Sequence, residues 1–285
     1  IVLINGSLVK SLSDIGEMPD GIALKSINSI TENSLSQLIE FKRTPMAALN
    51  TAAFSDFLYF DILEGTQIDK PIHLISVALA ETAPVMFHPR FTINAGPNSK
   101  ATFLESHIGL GAEAYLSNSV SEIELGANAT LHHYKIQNEY KGATHVAASE
   151  VRIAEKAAYE NFVVTTGAKI SRNEIHSKII GSDADCRLMG TYLLSEKQHG
   201  DHTTLIEHAA PDSTSNEIYK GVLADCARGV FQGKILVEKG SQRTVSHQLN
   251  QALLLSNGTE IDSKPELEIY ACLLYTSPSP RDDEL

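Results

Sequence analysis

Short segments of alternating apolar and polar residues recur along most of this chain. Ile123 and Leu125 alternate with Glu122 and Glu124, Tyr134 and Ile136 with His133 and Lys135, and Val151 and Ile153 flank Arg152. Ile218 and Val222 stand near Tyr219, and Ile235 and Val237 alternate with Lys234 and Leu236. A period of two places one set of side chains on each face of a strand. From about residue 88 the segments are punctuated by Gly96, Gly111, Gly126, Gly142, Gly167 and Gly181, at intervals of 15, 15, 16, 25 and 14 residues. Strands at a nearly fixed step, without helical periods between them, predict either an antiparallel sandwich or a solenoid. Sandwich hairpins favour Asn-Gly or Asp-Gly turns, and Asn257-Gly258 is the one such pair between strand candidates, apart from Asp20-Gly21 upstream. The repeat therefore favours an all-β parallel β-helix, with an immunoglobulin-like sandwich as the alternative.

The first 80 residues have a different texture and read as a small α/β N-terminal region, residues 1–80. Ile30, Leu35, Leu38, Ile39 and Phe41 predict a helix over 29–42, followed by Ala47 to Asn50 and an aromatic cluster at Phe54, Phe57, Tyr59 and Phe60. Lys70 to Val77 reads as a strand opened by Pro71. The chain starts at Ile1, without methionine and directly in a strand-like run, and so reads as an edge within a longer protein.

Composition narrows the function classes. A formal net charge of -12 disfavours nucleic acid and anionic membrane surfaces as partners. No run approaches the length of a membrane span, and Ile1 to Val9 lacks the layout of a secretory leader. Three well-separated cysteines, Cys186, Cys226 and Cys272, form neither a disulfide framework nor a zinc motif, and together these features predict a cytoplasmic protein. Aromatic residues make up only 6% and tryptophan is absent, which suits the narrow layers of a solenoid.

Candidate chemistry is sparse, and no catalytic residue is assigned. The richest polar stretch, Gln198 to His208, offers His199, His202 and His208 as metal-ligand candidates. On a strand His199 and His202 face opposite sides, so hydrogen bonding of these rings and Asp201 to neighbouring coils is the competing reading. Of the adjacent His132 and His133, one ring must point inward and the other outward. Carboxylates beside Cys186 and Cys226 raise a thiol pKa and disfavour a nucleophile. Gly229 to Lys234 is one residue short of a phosphate loop, and Ile235 replaces its Ser or Thr. The acid pairs Asp183 with Asp185 and Glu122 with Glu124 keep open a carbohydrate-active β-helix enzyme, and the histidines an isolated metal-binding solenoid.

The runs Ser215 to Leu223, Ala227 to Ile235, Asn250 to Leu255 and Glu260 to Ala271 resemble the SufB/SufD family of the SUF iron–sulfur assembly system. His88-Pro89-Arg90, Leu104-Glu105-Ser106, Leu131 to Lys135 and Gln198 to His208 follow in the family's order, and Lys264 to Ala271 resembles the SufD branch. The resemblance implies a right-handed parallel β-helix over residues 81–271 and a non-catalytic scaffold subunit. It also implies pairing with SufB and the ATPase SufC, delivery of clusters to downstream carrier proteins, a transient Fe–S cluster in the full complex, and a reduced flavin in that complex. Residues 272–285 match nothing in the family and read as an unrelated tail, so the family's Cys does not map onto Cys272, and the chain is expected to lack the cluster-proximal residues and the SufC-docking end.

Overall fold

The computed structural model describes residues 1–16, 18–26 and 38–271. In chain order the first strands are β1 (Val2–Ile4), β2 (Ser7–Leu8), β3 (Ile22–Ser26), β4 (Leu58–Ile62), β5 (Ile72–Ala80), β6 (Val85–Phe87) and β7 (Arg90–Ala95). Then come β8 (Lys100–Gly111), β9 (Tyr115–Leu125), β10 (Thr130–Asn138), β11 (Thr144–Ile153), β12 (Ala158–Thr165) and β13 (Ile170–Ile179). The last are β14 (Asp185–Leu194), β15 (His199–His208), β16 (Thr214–Leu223), β17 (Arg228–Val237), β18 (Val245–Leu254) and β19 (Glu260–Ile269). From β7 onward successive strands alternate between two sheets, even-numbered strands in the first and odd-numbered in the second. Each pairs in parallel with the strand one coil away: Thr130 with Ala158, Ala158 with Asp185, and Asp185 with Thr214. The result is a parallel β-solenoid of about seven turns. The glycine interval of about 15 residues is half a coil, one strand plus one corner.

The corners explain the glycines. Gly96 sits where a Cβ would come 2.8 Å from the carbonyl oxygen of Ile62, and at Gly126 it would come 2.7 Å from the nitrogen of Pro97. At Gly181 a Cβ would overlap the backbone nitrogen and Cα of Glu155. Each of these three residues is packed directly on the corner of the preceding coil, so close approach excludes a side chain. The same edge carries one left-handed residue per coil, Asn98, Asn128, Lys156, Asp183, Asp212 and Arg243, at φ between 56° and 58°. Asn and Asp tolerate that conformation better than other side chains.

Residues of the N-terminal region also feed both sheets. β1 and β5 extend the first sheet, with Ile4 paired to Val77, and β3 and β4 extend the second. The helix expected over 29–42 lies for the most part outside the described residues, and its described end, 38–42, is non-helical. The helix that is described, α1 (Pro45–Ala53), begins on a proline at its first turn and lies against the second sheet. Asn50 Nδ2 donates to the carbonyls of Pro89 (2.9 Å) and Asn118 (2.7 Å), and Arg90 pairs with Glu122 at 2.6 Å. The unrelated-tail reading of residues 272–285 falls outside the described residues.

The two outer faces differ. The second sheet carries ion pairs between coils, such as Arg172 with Asp201 (2.5 Å) and Lys178 with Glu207 (2.6 Å). The first presents an apolar column, Leu104, Tyr134, Phe162, Met189, Ile218 and Leu249, one residue from each of β8, β10, β12, β14, β16 and β18. At β10 and β16 the period of two holds, yet the polar set points inward: His133 and Lys135 are buried, while Tyr134 is half-buried and Ile136 exposed. Among the described residues no helix is long and apolar enough to cross a membrane.

Replacing Gly181 with alanine is expected to cost about 2–3 kcal/mol through overpacking against the Glu155 backbone. At Gly16 a methyl group would meet nothing within 4 Å, and alanine there should be tolerated within about 0.5 kcal/mol. Urea unfolding midpoints of the two variants measure the difference.

Candidate functional site

The inward residues of β8 are Ala101, Phe103, Glu105 and His107, and those of β10 are Leu131, His133, Lys135 and Gln137. Parallel register sets Glu105 beside Lys135 and His107 beside Gln137. The first coils of the lumen therefore hold a charged cluster sealed from bulk water. Glu105 accepts from His133 Nε2 at 2.6 Å and from His107 Nε2 at 2.8 Å. With its proton on Nε2, His133 accepts the Tyr159 hydroxyl at Nδ1, 3.0 Å away. A second group follows one corner later, where Glu139 accepts from Gln137 Nε2 (3.0 Å) and lies 2.8 Å from His145 Nδ1. The His107 and His145 rings meet edge to face at 4.8 Å and bring the two groups together.

Burial alone opposes ionisation of both carboxyls. For Glu105 that penalty is overcome by the bonds from His107 and His133 and by the Lys135 charge, which hold its carboxyl well below the usual carboxylate range. Glu139 is likewise held down to about 2 against burial, by His145, His107 and Gln137. His145 itself is pushed by burial to about 4, with Glu139 opposing the shift. At neutral pH a neutral His145 thus lies against an ionised Glu139. Burial lowers Lys135, and the two carboxylates counter it. Such a network can hold charge and pass protons along its hydrogen bonds, and in a low-dielectric interior its parts depend on one another.

The sequence candidates fall elsewhere. His199, His202 and His208 all lie on β15, but His199 faces outward, whereas His202 and His208 face the lumen roughly 20 Å apart along the strand. His202 is fully buried between the rings of Tyr192 (5.4 Å) and Tyr219 (5.1 Å), and burial drives it to about 3. His208, lowered to about 4, bonds the hydroxyls of Ser213 (2.7 Å) and Ser215 (2.9 Å). Among the described residues no group of three or more His, Cys, Asp and Glu side chains is arranged to hold a metal ion. Asp201 bonds Arg172 of the neighbouring coil. His132 points out and His133 in.

Cys186 is buried and its thiol pushed up to about 12, chiefly by burial, with Asp185 adding to the rise. Cys226 is exposed, and Cys272 lies outside the described residues. The acid pairs are committed to other partners: Glu122 to Arg90, Glu124 to Arg152, and Asp185 to Arg187 at 2.8 Å. Asp183 occupies a corner. The Glu105, Lys135, Glu139 and His145 cluster went unread in the sequence, since its members lie on four strands or corners and meet only through the coil register.

This two-sheet solenoid with a polar lumen is matched, over residues 77–273, by the family description "SUF system FeS cluster assembly, SufBD core domain". The chain belongs to the SufBD family. It is 28% identical over 95% of its length to the iron–sulfur cluster assembly SufBD family protein slr0076 of Synechocystis, covering 63% of that protein. The chloroplastic protein ABCI7 of Arabidopsis thaliana is 25% identical, with 95% of this chain and 59% of the relative covered. The iron–sulfur cluster assembly protein SufD of Escherichia coli is 24% identical, with 95% and 63% covered. The chain thus spans less than two thirds of the length of these SufBD relatives.

Two outcomes follow from the lumenal SufBD chemistry. Glu105→Ala leaves Lys135 with one carboxylate fewer in a sealed interior and should cost about 3–5 kcal/mol, read from urea unfolding. His145, His202 and His208 stay neutral when folded but titrate near 6.5 when unfolded. Between pH 6.5 and 4 the unfolded chain therefore binds more protons, and stability is expected to fall by several kcal/mol as pH drops through that window. Unfolding midpoints at pH 7, 5.5 and 4.5 check the sign.

Proposed function

We propose that this chain serves as a SufD-branch scaffold subunit in iron–sulfur cluster assembly. In this reading it pairs with SufB and with the ATPase SufC, and the assembled complex builds a cluster, as cargo, and passes it to carrier proteins in the cytoplasm. The observation that carries the proposal is the SufBD core match over residues 77–273, which takes in the end of β5 and every strand from β6 to β19. Likeness over 95% of the chain to proteins named for iron–sulfur cluster assembly supports the same role.

The chain contributes shape rather than turnover in this proposal. The lumenal charges are engaged with one another, the acid pairs are held in ion pairs or a corner, and the buried Cys186 thiol stays protonated. A rigid stack of coils suits a subunit that fixes partners in register. The reduced flavin implied by the resemblance is assigned to the complex and to no residue of this chain.

Co-expression of the tagged chain with a SufB and a SufC tests the assignment. Recovery of all three in one complex, with iron and sulfide bound after reconstitution, is the expected result for a version whose residues 272–285 are replaced by a SufD C-terminus, and retention of SufB the expected result for the chain itself. Failure of the chain to retain SufB in both the presence and the absence of SufC sinks the proposal.

A further inference from the structure

Lys135 is a buried ammonium without a direct partner. It points into the lumen from β10 and is 6% exposed. Glu105 is its neighbour in register, and Glu139 lies just past the end of its strand. Their charges act on it, yet among the described residues no carboxylate pairs with Nζ directly and no acceptor bonds it. A lysine head carries N–H donors only, so these donors stand unmet in the interior.

Acceptors stand unmet in the same lumen. Gln137 Nε2 is engaged by Glu139, and its Oε1 has no partner. Asn173 Nδ2 donates to Ser171 Oγ at 3.3 Å, and its Oδ1 has none. His107 Nδ1, His145 Nε2 and both ring nitrogens of His202 are likewise unpartnered among the described residues. Each of these five side chains is at most 3% exposed. The coil register makes them neighbours: His107 pairs with Gln137 across β8 and β10, and Asn173 with His202 across β13 and β15. The His107 and His145 rings meet at 4.8 Å, and the Lys135 charge acts on both His145 and His202.

Unmet donors and unmet acceptors together select the occupant. An anion answers Lys135, but it cannot donate to the amide oxygens and would share the lumen with the ionised Glu105 and Glu139. A metal ion answers oxygens and imidazoles but leaves Lys135 unmet, and among the described residues no three His, Cys, Asp or Glu side chains are arranged to hold one. Water both donates and accepts, and a buried water makes about three hydrogen bonds. We propose that the lumen from Lys135 to His202 is a binding site for a cluster of ordered waters, which accept from the Lys135 ammonium and donate to Gln137 and Asn173. Such waters join the Glu105 and Glu139 groups into one hydrogen-bonded unit, through His107 on one side and His145 on the other. A polar column that lacks a complementary side chain one coil away is thus completed by solvent enclosed in the fold.

The test is a crystal structure of the full chain at a resolution that shows individual waters, with anomalous data to identify ions. At least two waters are expected inside the solenoid, one of them within about 3.2 Å of both Lys135 Nζ and an amide oxygen of Gln137 or Asn173. A Lys135 bonded directly to Glu105 or Glu139, with both amide oxygens taken by protein donors, overturns the site, and so does a single ion in place of the waters. In solution, magnetic relaxation dispersion of the solvent oxygen counts long-lived internal waters. Lys135→Met, which keeps the apolar stem, should lower that count by at least one, and an equal count overturns the proposal. Should that variant not fold, Gln137→Met gives the same comparison with the same two readings.

Discussion

Parallel stacking of coils is the constraint on which this molecule depends. Every interior strand takes its backbone hydrogen bonds from the strands one coil before and one coil after, so a residue's closest lateral neighbours lie a full turn away in sequence. Side chains are thereby sorted into columns. Inside the lumen, where bulk water cannot reach, a polar residue must find its partner in its own column, the facing sheet, the nearest corner or an enclosed water. Lys135 lies between Glu105, its neighbour in register, and Glu139, just past the end of its strand.

The same sorting governs shape. Gly190 is filled by the ring of Tyr219 from the next coil, and Gly221 by the ring of Tyr192 from the coil before. Each glycine makes room for a tyrosine one coil away, and Tyr192, His202, Tyr219 and Phe231 form a continuous run of rings along the lumen. Close packing of this kind transmits displacement from coil to coil instead of absorbing it.

The repeat, the absence of helical periods and the glycine step were legible in the sequence because each is a local property. Close approach at Gly96, Gly126 and Gly181 marks the corners directly. The facing of individual strands was less legible. Alternation at β10 and β16 is as regular as at β9, yet His133 with Lys135 and Glu217 with Tyr219 point inward. A period of two states that there are two faces and leaves open which one is buried when polar groups can satisfy one another. The charged cluster was illegible for a related reason, since Glu105, Lys135 and His145 become neighbours only after the step between coils, which varies from corner to corner, is known. The histidine-rich stretch forms no single site because neighbours along a strand are separated by about 3.3 Å per residue and alternate their faces.

One residue in the next coil decides the state of a buried carboxyl in this fold. Glu105 and Glu217 are both sealed in the lumen and face the same kind of desolvation penalty. Glu105 has a lysine one coil onward and two imidazole donors, and is ionised; Glu217 has Gln248 and Thr204, with no cation among the described residues, and stands poised near neutrality. Hydrogen bonds from neutral donors lower a carboxyl only partly when no positive charge shares the site. The column is therefore the unit of electrostatic design here: charge is balanced where a lysine stands one coil away and left to the proton where an amide stands there instead.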